Sequence, residues 1–514
     1  MIGGPDPAEP SVQIGDPPGV APGGPASTEA PLGLDEIRKR AIGGALAIAG
    51  RGIVLRIIGF FGGLVLARLL VPDQYGLIAL AQSVVAITAV ISGGGFGAAL
   101  IGREAEPEQE ELAAVFGLQL LLSMGLMVVA IVAGVFLGTV GLLIAIMSLA
   151  LPIDALRVVP AVLLERRLRY GLLVQAEIID LVAYNILAIA LVVAGLGVEG
   201  VAIAGVGRAI AGTVVLLRYG PRAFTRPSLR LAPVRGILAF GVAFQSVGFL
   251  VVVRDWLLNV GIAVVAGNAA VGFWALTSRL LSVVGLVLES LWRVTYPAVA
   301  RLLDAGEKPE AMLERGLNFV ALATGAFAVA LAGSAPVLIP VLLGDRWEPT
   351  IAIVPWAAVA LFLSGPLSTV AGGYLFAVGA ANQVLRTVLV QAVVWLIAAL
   401  TLLPVIGPPA IGVGLLISAV ADVVYLRIVV HRHIDLPIAR PILWPLVALV
   451  AAIIAAQAVG RALTPDVWAL IAVLIVGGAV YLGVLLVRQR AAVIGIVDLL
   501  REFIGRARHP AAQA

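Results

Sequence analysis

Charged side chains set within long apolar runs are the residues of this sequence that could do chemistry. Arg51 and Arg56 lie in the run 43–70, Glu177 and Asp180 in 172–194, and Arg208 in 198–218. Arg254 and Asp255 lie in 237–266, Arg279 in 270–297 and Asp422 in 409–431. A charge in mid-bilayer costs at least ~2.5 kcal/mol on insertion scales, so each of these must face protein or a water-filled cavity. At 1.5 Å per residue, Arg51 stands ~12 Å and Arg56 ~20 Å into their shared run. Five residues turn a helix by about 500°, so the two guanidinium groups point about 140° apart and at least one meets protein or water. Arg68 and Arg293 lie near run ends, where a long side chain can extend to the interface. Arginine is a permanent cation whose planar fork offers paired donors to oxyanions such as phosphate. Arg51, Arg56, Arg254 and Arg279 therefore read as a cationic interior able to hold a pyrophosphate or another large organic anion. Glu177 and Asp180 share a helix face. They read as counter-charges for Arg208 or Arg51, or as proton or sodium ligands. Asp255 follows Arg254 directly, so the two are expected to turn to different neighbours, each in an ion pair with another helix. Asp422 has the same two readings, coupling or ion pair.

The elements that must position these charges are transmembrane helices. The chain is 61% hydrophobic and 12% charged, with mean hydropathy +1.09, against ~25% charged in soluble domains. A span needs ~20 apolar residues, and such runs follow one another almost without pause. The fold class is all-α and polytopic, with spans predicted at 43–70, 77–101, 112–138, 140–163, 172–194, 198–218, 237–266, 270–297, 313–343, 350–378, 383–405, 409–431, 441–462 and 466–488. The short alternating segments of a β-barrel are not seen. No loop after residue 42 is much longer than about 20 residues, too short to bury a core. Cysteine is absent, which excludes disulfides, thiolate chemistry and cysteine metal sites. His431 and His433 read as part of a solvated basic loop. A phosphate-binding loop ending in Gly-Lys is missing, so ATP is not expected to drive the protein directly.

Lysine and arginine bias sets the expected orientation. The connections at 71–76, 138–141, 195–199, 266–271 and 404–410 carry no basic residue, whereas Arg38, Lys39 and Arg40, Arg166, Arg167 and Arg169, and Arg218 to Arg235 fall on the opposite side. Both termini are expected in the cytoplasm. Residues 1–36, rich in Pro, Gly, Ala and Ser, read as a disordered tail. Next come an N-lobe of spans one to six (37–218), a basic linker (219–236), a C-lobe of spans seven to twelve (237–431), helices 13 and 14 (432–488) and a cytoplasmic tail (489–514). The lobes read as a parallel repeat, since Tyr75–Leu80 (YGLIAL) pairs with Val271–Leu276 (VGFWAL). Trp256, Trp274, Trp292, Trp347, Trp444 and Trp468 fall near predicted span ends, where interface anchors sit.

The stretch Leu64–Leu77 (LVLARLLVPDQYGL) resembles polysaccharide-biosynthesis flippases, as do Gly93–Leu100 (GGGFGAAL), Arg166–Gly171 (RRLRYG) and Gly344–Trp347 (GDRW). These are the O-antigen and capsule repeat-unit translocases of the multidrug/oligosaccharidyl-lipid/polysaccharide exporter superfamily. The resemblance implies two lobes around a cavity lined by spans one, two, seven and eight. It implies alternating access that flips undecaprenyl-pyrophosphate-linked oligosaccharide across the bacterial inner membrane, with Arg51 and Arg56 placed like arginines that meet the pyrophosphate in related lipid II flippases. The expected partners are that lipid, membrane lipids and the polysaccharide polymerase machinery, with no nucleic acid. No cofactor and no enzyme activity are expected, and coupling would come from a proton or sodium gradient or the membrane potential. The alternative is a cation-coupled multidrug antiporter of the same superfamily, which needs a membrane carboxylate; span one has none. A glycan polymerase or ligase would need a large outer loop.

Overall fold

The computed structural model describes residues 54–101, 105–221, 226–230 and 235–490, together with Gly52, Ala492 and Ile494. Arg51, the N-terminal tail and most of the C-terminal tail lie outside the described residues. All regular structure within them is helical. Lipid cannot hydrogen-bond a backbone, so each apolar run satisfies its own N–H and C=O groups as a helix.

The crossings are α1 (54–69), α2 (Pro72–Gly93), α3 (Gln109–Gly134) and α4 (Gly138–Ser148, prolonged by Ala150–Ala155 and Val158–Arg166). They continue with α5 (Tyr170–Leu191) and α6 (Gly197–Tyr219). One helix, Arg235–Asp304, supplies α7 (235–267) and α8 (268–304), because Gly267 at φ 81° breaks it. Then follow α9 (Glu310–Leu343), α10 (Glu348–Ala377), α11 (Ala381–Ile406), α12 (Pro409–His431), α13 (Ala439–Ala462) and α14 (Val467–Arg488). Eleven helical stretches of the described chain are long and apolar enough to cross a membrane. Two of these, Tyr170–Tyr219 and Gly248–Gly285, each hold two crossings. The first divides at Gly195 (φ 94°) and the second at Gly267, backbone conformations that only glycine adopts without strain. With these breaks and α1, the helices provide fourteen crossings.

In the first half α5 packs along α6, and α4 bridges α2, α3 and α6. In the second half α12 packs on α10 and α11, while α13 and α14 pair with each other against α9. The two halves meet along α2 and the α7–α8 unit. Large apolar side chains such as Val264 (81% exposed) and Ile475 (64%) face outward, as a lipid-facing surface requires. The interhelical linker is tied down: Ser228 N–H donates to Ala113 C=O at 2.9 Å, and a Cβ on Gly117 would overlap the Ser228 backbone. Arg166 donates to the carbonyls of Leu100 (2.7 Å) and Ala105 (2.8 Å). It thereby satisfies backbone groups around the end of the short helix Phe96–Ile101.

The tryptophans among the described residues differ in burial. Trp468 is 77% exposed and suits an interface. Trp274 and Trp347 are buried, so their position near span ends reflects packing between helices rather than anchoring in the headgroups. Trp274 stacks edge-on against Trp395 at 5.1 Å.

Candidate functional site

The site is built where α1 runs between the halves. Its Gly62 and Gly63 leave a groove in the helix surface that two polar side chains fill. Asn185 of α5 lies against Gly62, and Arg279 of α8 lies against Gly63; a Cβ on either glycine would overlap them. Asn185 is steadied by donating to Leu181 C=O at 2.7 Å. Arg279 lines a cavity of about 90 Å³ with Leu70, Tyr75, Gln82 and Tyr184. Among the described residues no carboxylate pairs with Arg279. A guanidinium in that position offers five donors to an anion entering between the halves.

Beyond it, inside the first half, lies a larger cavity of about 370 Å³, lined by α2, α4, α5 and α6. Gln82, Tyr184 and Val201 line both cavities, and the Gln82 amide donates to the Tyr184 hydroxyl at 3.3 Å. The polar floor of the larger cavity is a four-membered ion cluster. Arg157 donates to Asp180 at 2.6 Å and to Asp154 at 2.5 Å, and also to Ala209 C=O at 3.2 Å. Arg208 reaches Asp154 at 3.2 Å and Asp180 at 3.7 Å. Asp180 and Arg157 are buried deepest; Asp154 and Arg208 line the cavity.

The two halves meet in backbone contact at both ends of their seam. At the Pro72 end, Gly76 of α2 faces Gly272 of α8. A Cβ on Gly76 would overlap Asn268 C=O, and one on Gly272 would overlap Pro72 C=O. Trp347 clasps the same end. Its indole N–H donates to Ala67 C=O at 2.9 Å, and its ring meets Tyr75 and Phe273 edge-on at 5.5 and 6.2 Å. Ala67 C=O is free to accept because Val71 N–H, its partner in a continuing helix, bonds to the Gln74 side chain instead (3.2 Å). At the opposite end, Gly94 and Gly95 press against Gly241 of α7, again with no room for a Cβ.

Residues 65–352 match the polysaccharide biosynthesis protein family. The chain belongs to that family. It is 27% identical to the succinoglycan biosynthesis transport protein ExoT of Rhizobium meliloti (strain 1021) over 342 residues, 64% of this chain and 67% of that protein. Its fold is similar to the lipid II flippase MurJ in an inward closed conformation, with TM-score 0.68 and 14% identity over 88% of this chain and all of that one. It is also similar to an inward-facing multidrug resistance MATE family transporter of the MOP superfamily, with TM-score 0.54 and 16% identity over 75% of this chain and 98% of that one.

In this member of the polysaccharide biosynthesis family, the remaining sequence-predicted residues take separate places. Arg56 is half-buried in α1, and Arg51 lies outside the described residues. Glu177 is half-buried one turn before Asp180 on α5. Arg254 lines neither cavity. It donates through Nε and Nη2 to Asp255 at 2.9 and 2.8 Å and lies 5.3 Å from the Trp395 ring centre. The expectation that these neighbours turn to different partners is therefore overturned. The long arginine chain folds back along its own helix, and Trp395 of α11 gives its cation an aromatic face. Asp422 of α12 is 1% exposed and accepts from Ser368 of α10 at 2.8 Å, and its second oxygen has no hydrogen-bond partner among the described residues. Among the described residues the two cavities draw on α1, α2, α4, α5, α6 and α8. Sequence reasoning passed over Asp154, Arg157, Gln82 and Tyr184. The available signal was Asp154-x-x-Arg157, an i,i+3 pair of opposite charge inside an apolar run.

Proposed function

We propose that this chain is a flippase that carries polyprenyl-diphosphate-linked oligosaccharide from the cytoplasmic to the periplasmic leaflet of a bacterial inner membrane by alternating access. The observation that carries the reading is Arg279: a cation that has no acidic partner among the described residues, backed by Gly63, at the junction of two halves that meet in backbone contact at both ends. The diphosphate binds at Arg279, with Arg56 on α1 and Arg51 earlier in the same apolar run of the sequence adding positive charge, while the lipid tail stays in the bilayer. The halves then separate at the Pro72 end, which the charge bias puts outside, with both termini in the cytoplasm. Transport breaks no covalent bond, and the product passes to the polymerase machinery.

Coupling belongs to Asp422. A lone ionised carboxylate in a dry interior costs many kcal/mol, so the group carries a proton or a cation in the closed state. Ser368 supplies one donor, and the second oxygen is left for the coupling ion.

The test uses a strain lacking the gene. Lipid-linked oligosaccharide is expected to accumulate on the cytoplasmic leaflet with loss of surface polymer. Complementation with Arg279→Ala or Arg56→Ala should restore the protein to the membrane but not export. Normal surface glycan with raised sensitivity to cationic drugs would point to a multidrug antiporter instead.

A further inference from the structure

The charges of the larger cavity balance one another. Its ion cluster sets Arg157 and Arg208 against Asp154 and Asp180, so no net cation remains there for a second anion. We propose that this cavity binds a neutral sugar ring, the one attached directly to the diphosphate at Arg279; the inference rests on the flippase reading and extends it.

Three observations carry it. The first is position. The two cavities share Gln82 and Tyr184, so a group bonded to a diphosphate at Arg279 enters the larger cavity across that pair. The second is chemistry. The cluster has a locked half and an open half. Asp180 and Arg157 keep 9% and 16% of their side chains exposed, whereas Asp154 and Arg208 keep 36% each. The locked pair fixes the open pair without using up its hydrogen-bonding capacity. Asp154 can accept from a hydroxyl, Arg208 and the Gln82 amide can donate to one, and the Tyr184 ring offers a face. Adjacent hydroxyls on a pyranose present alternating donors and acceptors to such a set. Val85, Met147 and Leu181 supply apolar walls for the ring's C–H faces. The third is size: about 370 Å³ falls within the ~300–1,000 Å³ range of small-molecule sites.

Gly205 of α6 gives the test. It lines the cavity, and a Cβ placed there meets nothing within 4 Å, so Gly205→Phe puts an aromatic ring into the sugar space while leaving every residue of the ion cluster and Arg279 in place. Ala86→Phe fills it from α2 on the opposite wall and serves if the first variant does not fold. Binding of polyprenyl diphosphate, and of the same lipid carrying one hexose, is measured by native mass spectrometry on purified full-length protein. The wild type is expected to hold the hexose-bearing lipid on the order of tenfold more tightly, the effect of one or two net hydrogen bonds. The plugged variant should bind both lipids as the wild type binds the bare diphosphate. A wild type that binds both lipids equally, or a plugged variant that keeps the hexose preference, overturns the sugar site alone. A plugged variant that folds but binds neither lipid also overturns it, because the cavity then serves the diphosphate. Absence of any binding of bare polyprenyl diphosphate to the wild type overturns the flippase reading together with the inference built on it.

Discussion

Single charges in this protein differ in what holds them, and that decides what their removal does. Arg279 has glycine behind it and, among the described residues, no acid beside it, so its loss orphans none of them and, on the proposed reading, removes a ligand contact. Arg157 is the reverse. It bridges Asp154 and Asp180 and also satisfies Ala209 C=O. Truncating one partner of a buried pair leaves an uncompensated charge, at about 3–5 kcal/mol. Arg157→Ala should therefore lower the thermal midpoint of the purified protein sharply, whereas Arg279→Ala should leave it near the wild-type value while export fails. Equal midpoints for the two variants would mean that the cluster does not hold α4 to α5 and α6. The sequence alone makes Arg279 and Asp180 visible because a charge in an apolar run stands out. It hides which charges meet. Asp154 and Asp180 belong to different helices, and their meeting depends on how α4 packs, which helical periodicity does not record.

At the scale of elements, the helix count was legible because each crossing needs its own long apolar run, and short turns leave little freedom in how neighbours connect. The breaks inside Tyr170–Tyr219 and at Gly267 were legible for the same reason. Helix contacts were less so. Trp347 sits near a predicted span end and reads as a headgroup anchor, yet it is buried as the clasp on α1. Gly76 and Gly272 were visible as repeat partners, but their face-to-face contact required the fold. That contact predicts a gating variant. A Cβ on Gly272 would overlap Pro72 C=O, and backbone cannot move aside as a flexible side chain can. Gly272→Val should hold the Pro72 end apart. The chain has no cysteine, so spin labels at Asp73→Cys and Ala266→Cys report only on that seam. Their distance distribution should move to longer values in Gly272→Val, and flipping should slow because the seam no longer closes. An unchanged distribution in folded protein would mean that α2 and α8 do not close against each other in the membrane.

At the scale of the whole molecule, the two halves are not equivalent, although their first hairpins are related. The first half contains the charge-balanced cluster and the larger cavity; the second contains Asp422, which is buried with Ser368 as its hydrogen-bond partner. On the proposed reading the sugar site and the coupling ion lie in different halves, and the diphosphate lies at the junction through Arg279 of α8. Such a separation allows each to bias the same opening and closing without competing for one site. A ligand shifts a conformational equilibrium only by its difference in affinity between states. Asp422 can act in this way if it binds its ion differently when α10 and α12 rearrange. Asn at this position keeps the shape and an acceptor for Ser368 but cannot take up or release a proton or bind a cation by charge. In proteoliposomes, wild-type flipping should respond to an imposed pH or sodium gradient, and the gradient that acts identifies the ion. Asp422→Asn should flip at a rate indifferent to either gradient while still binding polyprenyl diphosphate. A variant that responds as the wild type does would remove Asp422 from the coupling step and leave the membrane potential, acting on the charged cargo itself, to drive the cycle.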